Sequence, residues 1–587
     1  MYVRKRALER LAREKVLYQR RPGGDIAVCV AYPNIYRLAM ANLGFQSVFH
    51  IFETDALVSA ERAFLPDADE RVAMRKQSER LVSFEQARPL SDFDMIAFSI
   101  SFETDYLNVI SMLRMAGIPL RRSDRIDVNW PLIIAGGSAI FLNPEPIADF
   151  IDLFLIGEGE EMIPEFLARY HGTRTTYSND RPARLRELAT VEGAYLPDYY
   201  TPIYDDRGRL EAVTYSGPGK STVSRRLIRD LNRFTTASLI LTEESVFGDM
   251  YLVEASRGCQ WGCRFCAAGF MYRPIRYRSP EHLLEEARRG LTERGVIGLV
   301  GAEMASVPGV AAIAEGIADA GARLSPSSLK ADCISPQLAA ALARNGNHSV
   351  TVAPEAGSER MRKVINKNLT EDEILRAADL MVGEGVENLK FYFMLGLPEE
   401  RDHDVHEIAH LTGKILARAR AQKKSVGHVT VSLNPFVPKP WTPFQWDPME
   451  DARVIKKKVA MLRADLAKLG SVELDAESPR EAYFQTLVSR GDRRVGAILE
   501  RLDAAGCEGA GEIWHELRRI SMENGAEGLP NPEAYVTRRY SDDEVLPWDF
   551  IDHHIHKWFL LSERKKAHYE HQTPPCDVTR CVVCGAC

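Results

Sequence analysis

Two series of short apolar runs alternating with helical stretches predict an α/β chain, followed by a helical C-terminal region with a cysteine-rich metal tail. The first series, over residues 25–170, predicts an N-terminal Rossmann-like, doubly wound domain. The second, over residues 248–449, predicts a central partial βα (TIM-like) barrel.

Residues 1–24 read as a basic amphipathic helix closed by Pro22-Gly23-Gly24, with a solvated surface role expected for its charges. The first strand is then expected over Asp25–Ala31, with others at Met95–Ile100, Leu132–Ala135 and Leu153–Ile156. Helices are expected between and after them, including Leu107–Met115 and Pro164–Tyr170. A ligand of such a domain sits at the carboxyl ends of the strands, beside Gly136-Gly137-Ser138 and Gly157-Glu158-Gly159-Glu160. Residues 171–247 read as a connecting segment with short strands near Ala212–Tyr215 and Ser238–Thr242. In the second series strands are expected at Met250–Glu254, Ile297–Gly301, Ser349–Val352, Leu389–Leu395 and Val429–Leu433, with helices such as Pro280–Arg294 and Glu371–Glu384 between them. Residues 450–570 read as mainly helical, and residues 571–587 as a four-cysteine tail.

The 587 residues are 45% hydrophobic and 27% charged, the balance of an ordinary globular protein. No apolar run reaches the roughly 18 residues of a membrane span, and the basic N-terminus lacks the apolar core of a secretory signal. A net charge of −7 argues against a protein that coats nucleic acid. Cys29, Cys333 and Cys507 are scattered and read as small buried apolar residues. The other seven fall in two tight clusters, which favours metal ligation over disulfides and a reducing cytoplasm as the compartment.

Cys259, Cys263 and Cys266 lie on one loop directly after a strand, spaced Cys-x3-Cys-x2-Cys. Three thiolates can ligate three irons of a 4Fe–4S cubane and leave the fourth iron without a protein ligand. Gly258 and Gly262 let the backbone wrap a bulky core. A structural zinc site wants four ligands, which sets this loop apart from a zinc knuckle. The open iron can take a chelating amine and carboxylate, such as a methionine moiety.

This loop resembles the defining motif of the radical S-adenosylmethionine superfamily, including Phe265 just before the third cysteine. The resemblance implies that Phe265 packs near the adenine of S-adenosylmethionine. It also implies that Gly301, Ala302 and Glu303 hold the cofactor's ammonium, that Glu355 and Ser358 meet its ribose and methionine parts, and that Gly396 approaches the adenine. The implied chemistry is one-electron cleavage of the sulfonium to methionine and a 5′-deoxyadenosyl radical that abstracts hydrogen from substrate. No catalytic residue beyond the cluster ligands is assigned.

A Rossmann-like domain ahead of such a barrel resembles the cobalamin-binding branch of the superfamily, with Tyr32-Pro33, Leu43-Gly44, Ser99–Phe102, Ala135-Gly136-Gly137 and Gly157–Glu160 corresponding in type and order. The branch implies cobalamin near Gly136, Gly137 and Ser138, and methyl transfer to carbon or phosphorus. The Asp-x-His-x-x-Gly motif that supplies a lower cobalt ligand in some members is absent; Asp404-Val405-His406 begins such a pattern, but Ala409 stands where Gly is required. The chain is most similar to a poorly characterised fused group sharing Ala353–Ser358, Asn434–Gln445, Ser489–Arg494 and a cysteine-rich end.

Cys576, Cys581, Cys584 and Cys587 offer four thiolates within twelve residues, enough for tetrahedral zinc or a second 4Fe–4S cluster. His553, His554 and His556 nearby read as surface residues. The expected function is therefore cobalamin-assisted radical methylation. The alternatives are direct adenosyl-radical rearrangement, oxidation or sulfur insertion without cobalamin, and an RNA- or ribosome-associated factor, suggested by the basic first helix, Arg273–Arg278 and the cysteine tail. The expected partner is a reductase or flavodoxin-type electron donor, with RNA or the ribosome as a further partner and no membrane.

Overall fold

The structure is a computed structural model describing all residues except 1, 22, 127–128, 328, 347–348, 423–427 and 524–527; the expected break at Pro22 lies outside the described residues. The chain forms two compact units. Met1–Gly248 is joined by Leu487–Pro532 and Asp543–His553; Asp249–Thr486 is joined by Glu533–Asp542 and His554–Cys587.

The first unit is built on strands β1 (Ile26–Tyr32), β2 (Val58–Phe64), β3 (Met95–Ser99), β4 (Leu132–Gly136), β5 (Leu153–Leu155) and β6 (Ala194–Tyr195), in the spatial order β2-β1-β3-β4-β5-β6. All neighbours are parallel except β5 and β6. Every residue of β1 is buried, as a strand covered on both faces must be. Helices Leu43–Thr54 and Gly159–Thr176 share one core with the sheet through Phe45, Phe49, Met162 and Phe166. Helix Tyr106–Ala116 packs instead with Val495–Ala504. Chain order reverses between β1 and β3, which makes their carboxyl ends the topological switch point.

Three stretches depart from the sequence expectation. Val58–Phe64 is a full strand despite Glu61 and Arg62 at its centre, because Arg62 is buried between Glu14 and Glu85 at 2.6 Å from each. The stretch read as a connector has its expected strands, at Leu210–Tyr215 and Ile240–Leu241, and is more closely tied into the unit than a connector: Val223–Ser224 pairs with Ile551–Asp552, Arg226 bridges to Gly157, and Ile240–Leu241 pairs with Lys15–Val16. The N-terminal helix is not simply solvated, since Arg10 is buried against Asp67 and Glu244, and Arg6 meets Asp69.

Among the described residues the second unit carries seven parallel strands: β7 (Met250–Glu254), β8 (Val296–Val300), β9 (Arg323–Pro326), β10 (Ser349–Glu355), β11 (Asn388–Leu395), β12 (His428–Pro435) and β13 (Val472–Ala476). They form a three-stranded and a four-stranded sheet, joined by a bridge from Leu329 to Val352, so the strands follow chain order around an open barrel. Helices Pro280–Leu291, Val310–Asp319, Pro336–Arg344, Glu371–Gly383, Asp402–Ala421 and Ala452–Ala467 return the chain between strands. The last strand lies inside the stretch read as helical. Its alternating half-exposed pattern, VELDA, suits an edge strand and gives no continuous apolar signal.

Candidate functional site

At the end of β7 the chain makes a ribbon, Ser256–Arg257 against Arg276–Tyr277, and the three-cysteine loop is the excursion it closes. Gly258 turns at φ +87°, where a Cβ would stand 2.7 Å from the Tyr272 carbonyl oxygen, so the tight approach requires glycine. The Cys266 amide donates to the Cys263 carbonyl at 3.0 Å and Gly269 to Cys266 at 3.2 Å, winding the loop inward.

Arg264, between two of the cysteines, fixes this loop to the barrel. Its buried guanidinium donates to the carbonyls of Lys363 and Val364 at 3.1 and 2.7 Å, closing the end of helix Glu359–Val364. It also reaches Glu563 at 3.2 Å and the His571 carbonyl at 2.7 Å. Burial holds its pKa below the usual guanidinium value in spite of Glu563. Asn366 adds a second tie, donating to the Gly262 carbonyl at 3.0 Å.

The three thiols lie close enough to act on one another. Burial, then Cys263 and Cys266, push Cys259 up to about 12; burial raises Cys263 to about 11, and Cys266 is also raised. Such a donor set is held in place for a cationic core. Among the described residues no three His, Cys, Asp or Glu side chains converge as one metal ion requires. Three thiols on one loop are the ligand count of a 4Fe–4S cubane that leaves one iron open.

Two buried lysines flank the loop. Lys367 lies 3.2 Å from Glu355; burial works against its charge, but Glu355 and the thiols of Cys263 and Cys266 overcome this and raise its pKa. The Lys330 ammonium stands 3.7 Å over the Trp261 ring and bonds Asp332 at 2.6 Å. Neither lysine is part of a recognisable local motif.

The residues implied by resemblance fall around this loop in different ways. Glu303 follows β8 with its carboxylate fixed by the amides of Ala305 and Ser306 at 2.7 and 2.9 Å, within electrostatic reach of Cys259. Gly301 and Ala302 form the turn before it, and Ser327 donates to the Gly301 carbonyl at 2.9 Å. Glu355 ends β10 at φ +67°, a strained backbone for a non-glycine residue, and points its carboxylate to Lys367. Ser358 caps helix Glu359–Val364 and donates to Asp404 at 2.5 Å, so its hydroxyl is committed to local structure. Phe265 packs with Met394 against an apolar cluster containing Leu397, next to Gly396, which turns at φ +77°. Cys333, read as a buried apolar residue, is instead half-buried 3.3 Å from the Ser306 hydroxyl and feels Glu303. Cys507 is also half-buried, while Cys29 is fully buried.

The tail cysteines lie against the same loop. The Cys576 amide donates to the Gln260 carbonyl at 2.8 Å, and Cys576 is within electrostatic reach of Cys581, Cys584 and Cys587. Of the three histidines read as surface residues, His553 is fully buried and bonds the Phe141 carbonyl at 2.8 Å; His554 is half-buried and His556 exposed.

In the first unit, Gly136 ends β4 and Gly137 turns at φ +115°, where a Cβ would meet the Ile100 carbonyl oxygen at 2.3 Å. Ser138 donates to the Ser101 carbonyl at 2.9 Å. These three residues lie at the carboxyl end of β4, next to the strand at the topological switch point. Beside them Phe102 is 55% exposed. Asp105 is buried, accepting from Asn34 at 2.7 Å and Asn108 at 3.3 Å, with its second oxygen lacking a hydrogen-bond partner among the described residues. Burial pushes its carboxyl up to about 7. The loops after β1, β3, β4 and β5 carry no histidine.

Comparison with known proteins agrees with this arrangement. Residues 44–197 match the family model for radical SAM proteins, N-terminal, and residues 253–412 match that of the radical SAM superfamily. Uncharacterized protein MJ0966 of Methanocaldococcus jannaschii is 30% identical over 415 residues, 70% of this chain and 81% of that protein. The radical S-adenosylmethionine methyltransferase TsrM from Kitasatospora setae, solved with cobalamin and a 4Fe–4S cluster bound, has a TM-score of 0.50 at 13% identity, covering 82% of this chain and 99% of that one, a likeness of fold. OxsB, a cobalamin-dependent S-adenosylmethionine radical enzyme, has a TM-score of 0.47 at 14% identity, over 93% of this chain and 79% of that one. A three-cysteine loop on an open βα barrel, inside the span matched by the radical SAM superfamily model and preceded by the match to radical SAM proteins, N-terminal, makes this chain an enzyme of the radical S-adenosylmethionine superfamily.

Proposed function

We propose that this enzyme is a cobalamin-assisted radical methyltransferase acting on carbon or phosphorus. The observation that carries the reading is the Cys259–Cys263–Cys266 loop, anchored by Arg264 and flanked by Glu303, Glu355 and Lys367 at the carboxyl ends of the barrel strands. When bound, the cluster, S-adenosylmethionine and cobalamin supply one-electron sulfonium cleavage and a methyl carrier. The chain's own residues bind, orient and shield. Cys259, Cys263 and Cys266 would ligate three irons. Glu303, held rigid by backbone amides, would face an ammonium, and Phe265 with Leu397 offers an apolar wall for a purine. Lys330 and Lys367 place fixed positive charge beside an anionic cluster.

Support for cobalamin comes from the switch-point crevice, where ligands of doubly wound sheets bind. The exposed Phe102 ring beside the switch point offers an apolar face to such a ligand. The absence of histidine from the crevice loops means that no imidazole there would ligate cobalt from below. TsrM, which shares this fold, was solved with cobalamin bound.

The test is anaerobic reconstitution with iron, sulfide and cobalamin, then addition of S-adenosylmethionine and reductant. Formation of 5′-deoxyadenosine supports the radical step; S-adenosylhomocysteine and stoichiometric cobalt support methyl transfer. Protein that cleaves the cofactor but never retains cobalt would favour direct radical chemistry.

A further inference from the structure

We infer that Cys576, Cys581, Cys584 and Cys587 hold a second 4Fe–4S cluster, docked on the Cys259–Cys266 loop through the Cys576–Gln260 hydrogen bond, and that electrons reach the first cluster through it. The inference rests on the radical reading of that loop.

The last residues form a strap across the loop. The His571 carbonyl accepts from Arg264 at 2.7 Å. The Thr573 amide donates to Asn366 at 2.7 Å, and its carbonyl accepts from Asn368 at 2.8 Å. Asn366 in turn holds Gly262, so one side chain joins tail to loop. The Cys576 amide then meets Gln260, the residue after Cys259, at 2.8 Å. One hydrogen bond and one peptide step therefore separate the Cα atoms of Cys576 and Cys259, a span of at most about 11 Å.

The donor set favours iron and sulfide over zinc. The four thiols fall within twelve residues, and the first of them is tied by its amide to Gln260 of the first loop. The spacing itself, Cys-x4-Cys-x2-Cys-x2-Cys, is built from the steps of iron–sulfur loops.

The surroundings suit a negatively charged cluster reached from outside. Arg273 acts on both Cys576 and Cys587, and its guanidinium lies 3.4 Å from where a Cβ on Gly262 would sit, so one cation serves both loops. The Cys584 carbonyl accepts from the His556 amide at 2.9 Å, which sets the tail at the positive end of helix Lys557–His568. Cys263 is buried, whereas Cys587 is exposed and Val582 and Val583 beside it are 73% and 54% exposed. A low-potential one-electron donor of the flavodoxin class would meet the tail first. It gives one electron to the second cluster, which passes that electron to the first and returns to its oxidised state; the donor is oxidised by one electron, and no bond or proton moves.

The test uses full-length protein reconstituted without oxygen. Wild-type chain is expected to hold ~8 iron atoms and no stoichiometric zinc, the Cys581→Ser/Cys584→Ser chain ~4. The double variant should keep the first cluster's EPR response to S-adenosylmethionine. Its reduction by reduced flavodoxin in stopped flow should slow by at least about 10-fold, as expected when an intermediate redox centre is removed. Because Cys584 is buried, Cys587→Ser at the exposed chain end provides a milder variant, expected to alter only the tail-cluster EPR signal. Chain with Cys259, Cys263 and Cys266 all changed to Ala should keep ~4 iron atoms and an EPR signal blind to S-adenosylmethionine. About 4 iron atoms plus one zinc in wild type, unaltered iron and EPR in the tail variants, or unchanged reduction kinetics after loss of the tail cluster would each overturn the inference. Iron on the tail with none on the loop would sink the radical reading instead.

Discussion

The Lys367 ammonium lies 3.2 Å from the Glu355 carboxylate, buried beside the thiols of Cys263 and Cys266. A fixed positive charge there stabilises added negative charge on a neighbouring cluster, and its carboxylate partner tempers the effect. Lys367→Met is expected to lower the potential of the first cluster by tens of millivolts and Glu355→Gln to raise it, about 59 mV corresponding to a tenfold change in a one-electron equilibrium. EPR-monitored redox titration of both variants checks the opposite signs.

Cys263→Ala should remove the first cluster and abolish S-adenosylmethionine cleavage, because two thiolates leave the cubane under-ligated. Product analysis for 5′-deoxyadenosine is the readout. Wild-type turnover in this variant contradicts the assignment.

Arg264 and Glu563 form a buried ion pair that joins the loop to the last helix. Removing one partner strands the other charge. Glu563→Gln or Arg264→Met is expected to cost about 3–5 kcal/mol in the barrel unit. Denaturant unfolding of the metal-free protein measures the loss, and faster proteolysis after residue 570 should accompany it.

Asp105 titrates near 7 because burial disfavours its charge, against 3.8 as the ordinary value. A carboxyl whose folded pKa is raised holds its proton better in the folded state. Stability therefore falls as pH rises from about 4 to 7 and levels off above. Asp105→Asn should remove this slope and be the more stable protein at pH 8, by on the order of 3 kcal/mol, with little difference at pH 4. Thermal melts of both proteins across that range show whether the slope belongs to this residue.

Phe102 exposes most of its ring at the switch-point crevice. On the proposed function, Phe102→Ala is expected to weaken cobalamin binding about 10-fold through lost apolar contact, without changing iron content. Optical titration with hydroxocobalamin distinguishes this from an unaltered affinity, which would move the corrin elsewhere.

What could be read from the sequence follows from where each signal is stored. Met250–Glu254 is apolar, short and followed by cysteines, and its strand bounds are those expected. Ile26–Tyr32 shows its burial as a continuous apolar run. Val58–Phe64 does not, because Arg62 owes its burial to Glu14 and Glu85, which no local pattern reveals. The three cysteines of the loop were legible from spacing alone. Arg264, Asn366 and Lys367 were not, since their partners at Glu563, Thr573 and the thiols are assembled only by folding. Conversely, Ser358 stands within a matching motif, yet its hydroxyl is used by a helix cap and Asp404.

The tie from Arg264 to Glu563 spans 299 residues of chain. At synthesis speeds of about 5–20 residues per second, the ribosome releases Glu563 roughly 15–60 s after Arg264. Throughout that interval the nascent loop has its thiols but not its anchor. The loop is therefore expected to gain its anchor only once residue 563 has emerged, and a chain that stalls before that point would leave its cysteines unanchored.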